Sequence, residues 1–337
     1  MKKVLPFEYP TIVDTYSGVA GNVGAYMIYR KEYMPLLIAN HFLITYSMEK
    51  REVGFNWEYY IYHYGYFQDI KEEAKENGVI DTIKKYITDN KYIRIILDFY
   101  YISNTTWYRD DRHLLHYIPQ IIGFDDEEKC VYLVDNLCEG KYTIIKTPYK
   151  EIEEARKGHE DEILDFSFFY EKIDFVLSKQ NLVKIFESWL DSQCYLERMD
   201  GKSDTQVENV IIGKKIYSVL EWTIEQVAYD SDEEYDIRTF HAIINHFDVF
   251  EIMLKEWIET TGYISSEFFN ELTTISLKIS SLCKDVRMLE RLYIKFALNK
   301  NIGTKLKLLK KINAVKNSEE EIIKRLLEML NESEENN

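Results

Sequence analysis

Three residues of the sequence could act together as a nucleophile, a base and the carboxylate that orients the base: Ser17, His116 and Asp135. Ser17 follows a loop and begins a run with helical spacing over 17–29. A hydroxyl at a helix N-terminus lies beside free backbone N–H groups, which can stabilise an oxyanion. His116 and Asp135 stand at similar distances from the centre of the acidic turn 125–128, so an antiparallel hairpin would place them side by side. A carboxylate in that position fixes the tautomer of an imidazole and supports general-base catalysis.

Each of these residues also has a purely structural interpretation. Ser is a favoured N-cap, so Ser17 could serve only to start the helix. His116 could be a strand histidine bonded to the backbone, and Asp135 could be a turn residue. The hairpin spacing predicts the pairing only to within a residue or two, so Asn136 could take the place of Asp135.

Three other groups compete for a place in the site. His113 is a second possible base, but it precedes the strand. Cys138 is a second possible nucleophile, but it lies in a Cys-Glu-Gly turn with no helix behind it. Asp98 could contact a substrate, or it could pair structurally with Arg94 or Arg109.

The elements that would position these residues indicate an α+β protein. Up to about residue 165, short runs of β-forming residues alternate with helices and turns, and beyond it nearly everything follows the helical period. We predict a papain-like domain with a central antiparallel sheet over 1–165, an all-α domain over 166–331 and a disordered tail over 332–337. The expected strands are 43–47, 56–66, 92–102, 116–124, 130–134 and 142–146; the expected helices of this half are 17–29, 69–77, 81–90 and 148–157.

Amphipathic stripes indicate the helices of the second half. Apolar residues recur at helical spacing in two segments, namely Leu182, Phe186, Trp189 and Leu190, and then Ile216, Val219, Leu220 and Ile224. Four further helices are expected at 239–259, 265–282, 289–296 and 319–330. We expect Asp236, Arg238 and His241 to form a buried polar brace between helices.

Composition and charge limit the classes of partner. Apolar residues make up 46% and charged residues 30% of the 337-residue chain, so a globular core needs no disulfide or metal. The net charge of −16 disfavours nucleic acid and anionic membrane surfaces and favours a cationic substrate. An acidic partner would need a local basic patch. Such a patch could be formed by Lys305, Lys307, Lys310 and Lys311, although a solvated helix face is the simpler interpretation.

The remaining features of the composition point to a cytoplasmic protein. The four cysteines have no metal-ligand spacing, and the chain has neither a signal-peptide pattern nor an apolar run long enough to span a membrane. We therefore expect reduced thiols and no metal. The 27 tyrosines, 17 phenylalanines and 5 tryptophans could line a pocket for an elongated or aromatic ligand, or could reflect coding bias.

Three segments carry a resemblance to a known family. The first is Tyr-Ser-Gly-Val-Ala at 16–20, which is similar to an Asp-Cys-Gly-Pro-Ala motif. The second and most specific combines Leu-Asp-Phe-Tyr-Tyr-Ile at 97–102, His-Tyr-Ile-Pro-Gln-Ile-Ile-Gly-Phe-Asp at 116–125 and Val-Tyr-Leu-Val-Asp at 131–135. The third is Tyr-Asp-Ile-Arg-Thr-Phe-His at 235–241. These segments resemble the butirosin biosynthesis protein H family, itself similar to double-glycine (C39-like) peptidases, and the resemblance extends over most of the chain.

The resemblance implies an acyltransferase that takes an acyl chain from a carrier-protein thioester and passes it to a small amine. Amide synthetases of nonribosomal peptide-like pathways in antibiotic biosynthesis belong to this group. No cofactor is implied beyond the phosphopantetheine arm of the partner carrier protein. The nucleophile, base and orienting carboxylate would be Ser17, His116 and Asp135. Candidate substrate contacts are Tyr16, Trp57, Asp98 and Tyr100.

The sequence departs from the family at the nucleophile, because the family places Cys where this chain has Ser17. Three explanations stay open: an engineered replacement, a natural serine enzyme, or a non-catalytic binding protein. A papain-like peptidase or amidase with the same triad is a further alternative. The sequence leaves open the acyl donor, the amine acceptor and the oligomeric state.

Overall fold

The computed structural model describes residues 1–9, 30–49, 51–55, 65–116, 119–138, 141–169, 177–193, 210–229, 236–260 and 266–335. It confirms the α+β class, with antiparallel sheets in the N-terminal half and helices in the C-terminal half. The chain divides into two compact units, one of Met1–Tyr33 with Tyr62–Ile173 and one of Met34–Ile61 with Asp174–Asn337. The units therefore differ from the expected ranges 1–165 and 166–331, because residues 34–61 belong with the helical unit.

The elements are as follows in chain order. The first half contains β1 (Lys2–Val4), α1 (Arg30–His41), β2 (Ile44–Ser47), β3 (Glu52–Phe55), β4 (Gly65–Asp69), α2 (Lys71–Asn77), α3 (Val79–Thr88), β5 (Tyr92–Ile95), β6 (Leu97–Asp98), a 3-10 turn (Phe99–Tyr101), β7 (Leu115–His116), β8 (Gln120–Asp125), β9 (Cys130–Cys138), β10 (Lys141–Pro148), α4 (Tyr149–Arg156) and β11 (Leu164–Phe169). The second half contains α5 (Lys179–Asp191), β12 (Val210–Ile212), a 3-10 turn (Gly213–Lys215), α6 (Ile216–Tyr229), α7 (Arg238–Thr260), α8 (Ser266–Asn299) and α9 (Ile302–Glu335).

An antiparallel sheet organises the first unit. Its strands lie in the order β10, β9, β8, β5, β11 and β4, and β1 also pairs with β8. Helix α3 packs its apolar side on this sheet, with Ile83 and Ile87 fully buried and Tyr86 stacked 4.5 Å from Phe166. Gly78 separates α2 from α3 with a φ of +86°, as the glycine stop in the sequence predicts.

The sheet gains an additional strand because Gly123 has no side chain. A Cβ at this position would lie 2.6 Å from the carbonyl oxygen of Lys3 and 2.8 Å from Cα of Val4. The N-terminal strand β1 therefore pairs closely with β8, and Val4 is the register partner of Gly123. Glycine is required here for close backbone approach rather than for a positive φ.

The helical unit contains its own small sheet. Strand β2 pairs with β3 and also with β12, about 165 residues later in the chain, which explains why 34–61 group with the helices. Phe42 lies at the centre of the core, with ring centroids 5.7 Å from Phe186 and 5.0 Å from Phe250. The predicted stripes are confirmed: buried side chains in them include Leu182, Phe186, Trp189, Ile216, Val219, Leu220 and Ile224.

Several predicted elements have different limits in the structure. The segment 92–102 forms two short strands and a 3-10 turn instead of one strand, and the expected helices 265–282 and 289–296 are parts of the single helix α8. Helix α9 continues to Glu335, so the expected disordered tail is wrong over 332–335. Arg325 donates to Glu332 at 3.3 Å and to Glu328 at 3.0 Å, and these pairs stabilise the last turns. No helix in the described ranges is both long enough and apolar enough to cross a membrane.

Candidate functional site

The predicted nucleophile is not among the residues that the structure describes. Ser17 and its neighbour Tyr16 lie in 10–29, and Trp57 lies in 56–64, which are outside the described ranges. The backbone of His116 is described as the end of β7, where it is the register partner of Leu97. The described part of the site is therefore the sheet around Asp135 and the loop that precedes β7.

The hairpin register differs from the prediction. Asp125 pairs with Cys130, so the turn is centred one residue later than expected, and an irregularity lies between Ile121 and Gly123. From the pair of Gln120 with Val134, one further step places Asp135 opposite Pro119 instead of His116. The expected pairing of His116 with Asp135 across the hairpin ladder is thus wrong: β8 begins only at Gln120, and His116 belongs to a separate ladder.

The turn itself forms for a reason that the sequence contains. The Asp125 carboxylate accepts hydrogen bonds from the backbone N–H groups of Glu127, at 3.0 Å, and Glu128, at 3.2 Å. Asp at the first position of a turn supplies such bonds. Lys129 completes the reversal with a φ of +51°. The loop therefore consists of 126–129 instead of 125–128, which accounts for the shift of its centre by one residue.

Asp135 is a buried carboxylate within the sheet. The residue is 0% exposed, and its Oδ1 accepts a hydrogen bond from the backbone N–H of Asn136 at 2.6 Å. It lies opposite Thr143 of β10 and shares a face of β9 with Leu133. Asn136 takes the opposite face of β9 by the same alternation, so the two side chains cannot exchange roles without a change of register.

A tyrosine adjoins this carboxylate. Burial, and then the charge of Asp135, hold the pKa of Tyr142 well above its usual value, so its phenol stays protonated. The Tyr142 ring stacks on Phe7, with centroids 6.1 Å apart and an interplanar angle of 11°.

The loop before β7 contains an imidazole bound to a carboxylate. Nδ1 of His113 lies 2.7 Å from Oδ2 of Asp98, and the ring stacks on Tyr100 at 4.3 Å and 16°. Asp98 is 4% exposed, and its Oδ1 also accepts from the backbone N–H of Tyr100. The His113 side chain is 52% exposed, and among the described residues nothing bonds to its Nε2. This arrangement orients an imidazole toward solvent, and general acid–base groups require such orientation.

The partner of Asp98 was not the one that the sequence suggests. Arg94 pairs with Asp165 instead, with Nε 2.7 Å from its Oδ1, and Arg109 lies over the ring of Tyr108. The register pairs Asp98 with Leu115, so the chain returns antiparallel and brings His113 back toward Asp98. The predicted substrate contacts of Asp98 and Tyr100 stay predictions, and both side chains already bind His113.

The buried cysteines do not offer a second nucleophile. Burial raises the pKa of the Cys283 thiol to about 12 and also raises that of Cys130. Both thiols stay protonated at neutral pH, and a protonated thiol is a poor nucleophile. Cys138 is the last residue of β9 rather than part of a turn. Within the described residues, no group of three His, Cys, Asp or Glu is arranged to hold a metal ion.

Polar pairs in the helical unit are only partly as expected. His241 binds Glu290 with Nδ1 2.8 Å from Oε1 and so links α7 to α8. Arg238 and Asp236 form an exposed pair, so their assignment to a buried brace is wrong. No sequence pattern indicates a different network, in which Nε2 of His246 lies 2.5 Å from Glu319 and the Tyr217 hydroxyl donates to the same carboxylate.

Comparison of the whole chain with protein-family models finds no match, and comparison with curated proteins finds none either.

Proposed function

We propose that this chain is an acyltransferase that forms amide bonds, with Ser17 as nucleophile, His116 as base and Asp135 as the residue that orients the base. The observation that carries the proposal is the fully buried Asp135 carboxylate within β9. A buried carboxylate is costly unless it is bonded, and the backbone N–H of Asn136 donates to its Oδ1. The resemblance of the segments 16–20, 97–102, 116–125 and 131–135 supports the same assignment.

The reaction begins with a thioester of an acyl chain on the phosphopantetheine arm of a carrier protein. The Ser17 hydroxyl attacks the carbonyl carbon while His116 takes its proton, and the tetrahedral intermediate then expels the thiolate, which recovers that proton as a thiol. The acyl group is now an ester of Ser17. An amine attacks this ester, His116 takes a proton from the amine, and Ser17 leaves with that proton. The products are the amide and the free enzyme.

Amide synthesis competes with hydrolysis of the same ester. Water is present at a far higher concentration than any amine, so the site must exclude water or hold the amine close to the ester. The full burial of Asp135 supports such exclusion of water at its own position. A peptidase or amidase with this triad would release free acid under the same conditions.

The test is intact-mass spectrometry of the full chain with N-acetylcysteamine thioesters of aliphatic and aromatic acids. We expect an added acyl mass that peptide mapping assigns to Ser17 and that disappears in Ser17→Ala. Ser17→Cys should acylate faster, because a thiolate paired with an imidazole is the stronger nucleophile. Asp135→Asn should slow acylation by about 10²–10⁴-fold, whereas His159→Ala is the control. If neither Ser17 nor a cysteine in its place becomes acylated, the proposal is wrong.

A second candidate for the base has its own observation in support. His113 is held by Asp98 at 2.7 Å, and its side chain is half-exposed. The same assay separates the two. Loss of acylation in His116→Ala with little change in His113→Ala supports the first assignment, and the opposite result moves the base to His113.

A third arm separates synthesis from hydrolysis. Adding a primary amine to the acylated protein should release an amide faster than the free acid forms in buffer. Release of free acid alone, at a rate that does not depend on the amine, would favour the peptidase or amidase.

A further inference from the structure

The end of the helical unit where α8 turns into α9 exposes three apolar side chains. Leu298 is 71% exposed, Ile302 is 74% exposed and Leu306 is 62% exposed. Ile302 and Leu306 are one turn apart on the same side of α9, and Leu298 lies in the last turn of α8. A single exposed leucine is ordinary, but three such residues at one helix turn mark an interaction surface.

The turn between the helices is well ordered by local bonds. Lys300 has a φ of +51°, and its N–H donates to the carbonyl of Phe296 at 2.7 Å. Asn301 caps α9, because its Oδ1 accepts from the backbone N–H of Thr304 at 3.0 Å. The inner side of α9 is buried through Leu308, so the exposure of Ile302 and Leu306 is set by the helix phase. The apolar residues are therefore held outward.

Basic residues lie before and after these apolar side chains in the sequence. Residues 291–316 contain eight Lys or Arg and no Asp or Glu, although the whole chain carries a net charge of −16. Lys305 and Lys311 are neutralised by Glu225 and Asp285, each at 2.6 Å. Four of these eight residues, namely Arg291, Lys295, Lys307 and Lys310, are exposed and have no ion pair among the described residues, whereas the Lys300 ammonium donates to the carbonyl of Val227. Two lysines of the predicted basic patch, Lys307 and Lys310, therefore remain exposed and are joined by Arg291 and Lys295. The other two, Lys305 and Lys311, are neutralised.

We propose that this surface, consisting of Leu298, Ile302 and Leu306 with Arg291, Lys295, Lys307 and Lys310, docks an acidic carrier protein. Its charge is opposite to that of the rest of the chain, and the Debye length is about 8 Å at physiological salt, so a partner in contact responds to the local charges. Apolar anchors within a charged rim are the usual anatomy of a protein interface. The identity of the partner as a carrier protein rests on the proposed function.

A membrane surface is a less suitable occupant. The three apolar side chains are aliphatic, and the surface contains no Trp or Tyr of the kind that anchors proteins at the lipid headgroups. Its few positive charges would also bring a strongly acidic chain against an anionic bilayer. An acidic protein avoids both difficulties, because it makes contact only over the basic surface.

The binding test uses the full chain and a holo acyl carrier protein labelled at its phosphopantetheine thiol, with fluorescence anisotropy as the readout. Lys307→Glu/Lys310→Glu should weaken binding at least tenfold at low salt, and Ile302→Ser/Leu306→Ser should weaken it at every salt concentration. Lys150→Glu/Lys278→Glu makes the same change of charge at exposed positions elsewhere and should bind like the wild type. Circular dichroism confirms that each variant is folded.

Other outcomes overturn the docking proposal. The proposal is wrong if the wild-type protein does not bind the carrier, or if the surface variants bind it as well as wild type. It is also wrong if the surface instead binds vesicles of one part phosphatidylglycerol to three parts phosphatidylcholine, or if it mediates a self-association that Ile302→Ser/Leu306→Ser abolishes. The acylation assay is independent of this test. Carrier binding without acylation at Ser17 would refute the proposed function alone, and acylation from small thioesters without carrier binding would refute the docking surface alone.

Discussion

His41 allows a quantitative test of how the helical core responds to pH. The imidazole is 1% exposed, its Nδ1 donates to the carbonyl of Leu37 at 2.9 Å, and its ring packs 5.7 Å from Phe55. Burial lowers its pKa from 6.5 to about 4, because the charged form is deprived of water. Below pH 6.5 the unfolded chain therefore binds a proton that the folded chain does not, and acid destabilises the fold.

The magnitude follows from proton linkage. With pKa values of 6.5 unfolded and about 4 folded, this residue alone should remove about 2 kcal/mol of unfolding free energy between pH 7.5 and pH 5.0. The stability that depends on a neutral His41 is fully present above pH 6.5 and is lost as the pH falls toward 4. Most carboxylates remain ionised across that window, so their contribution to the change is small.

The measurement is urea unfolding followed by far-UV circular dichroism at pH 7.5, 6.5, 5.5 and 5.0. We compare wild type with His41→Gln and His41→Phe, which cannot take up a proton, and with His159→Gln as a control in the other unit. Both His41 variants should be less stable at pH 7.5, but they should lose about 2 kcal/mol less than wild type on acidification. If their unfolding free energies fall as steeply as that of wild type, His41 is not held neutral by burial and the reasoning fails.

Three substitutions test other parts of the structure. Glu319→Ala removes the carboxylate that binds buried His246, so it should lower the free energy of unfolding in urea by about 3–5 kcal/mol; an unchanged midpoint would contradict the network. Gly123→Ala places a Cβ against the carbonyl of Lys3 and should cost about 1–3 kcal/mol, with faster hydrogen exchange in β1; unchanged exchange would argue against the close pairing. Arg156→Lys removes a buried guanidinium that donates to four carbonyls; it should cost about 2–3 kcal/mol and speed proteolysis at 157–163, and wild-type resistance would be the negative result.

Local pattern predicted several of the helices, although it missed α1 and the first half of α9. The stop at Gly78, the helix that begins after Pro148 and the stripe of Leu182, Phe186 and Trp189 each depend on residues a few positions apart, and each is present. The period of apolar residues fixes which side of a helix is buried, so it also predicts core residues. Such signals do not tell where a long helix ends, which is why α8 was divided in two.

The strand register and the pairing of strands far apart in the chain could not be predicted from the sequence. The predicted hairpin register is wrong because the position of the loop and the irregularity near Ile121 each shift the ladder, and a shift of one residue changes the face of every side chain. The pairing of β2 with β12 spans about 165 residues, and no local feature indicates it. The bond between Asp98 and His113 joins residues fifteen apart through the return of β7, so it required the fold.

Imidazole–carboxylate pairs are common enough in this chain that the pair alone cannot identify a catalytic group. His113 binds Asp98, His241 binds a glutamate, and His246 binds Glu319. Both ring nitrogens of His246 are occupied, because its Nδ1 lies 2.5 Å from a backbone carbonyl, so that residue can only brace the core. A base needs one nitrogen held and the other accessible, and among the described histidines His113 combines an anchored Nδ1 with a half-exposed ring. Acylation assays must therefore include His113→Ala beside the variant at 116, because a carboxylate-bound imidazole with an accessible nitrogen meets the physical requirement for a base whatever the resemblance favours.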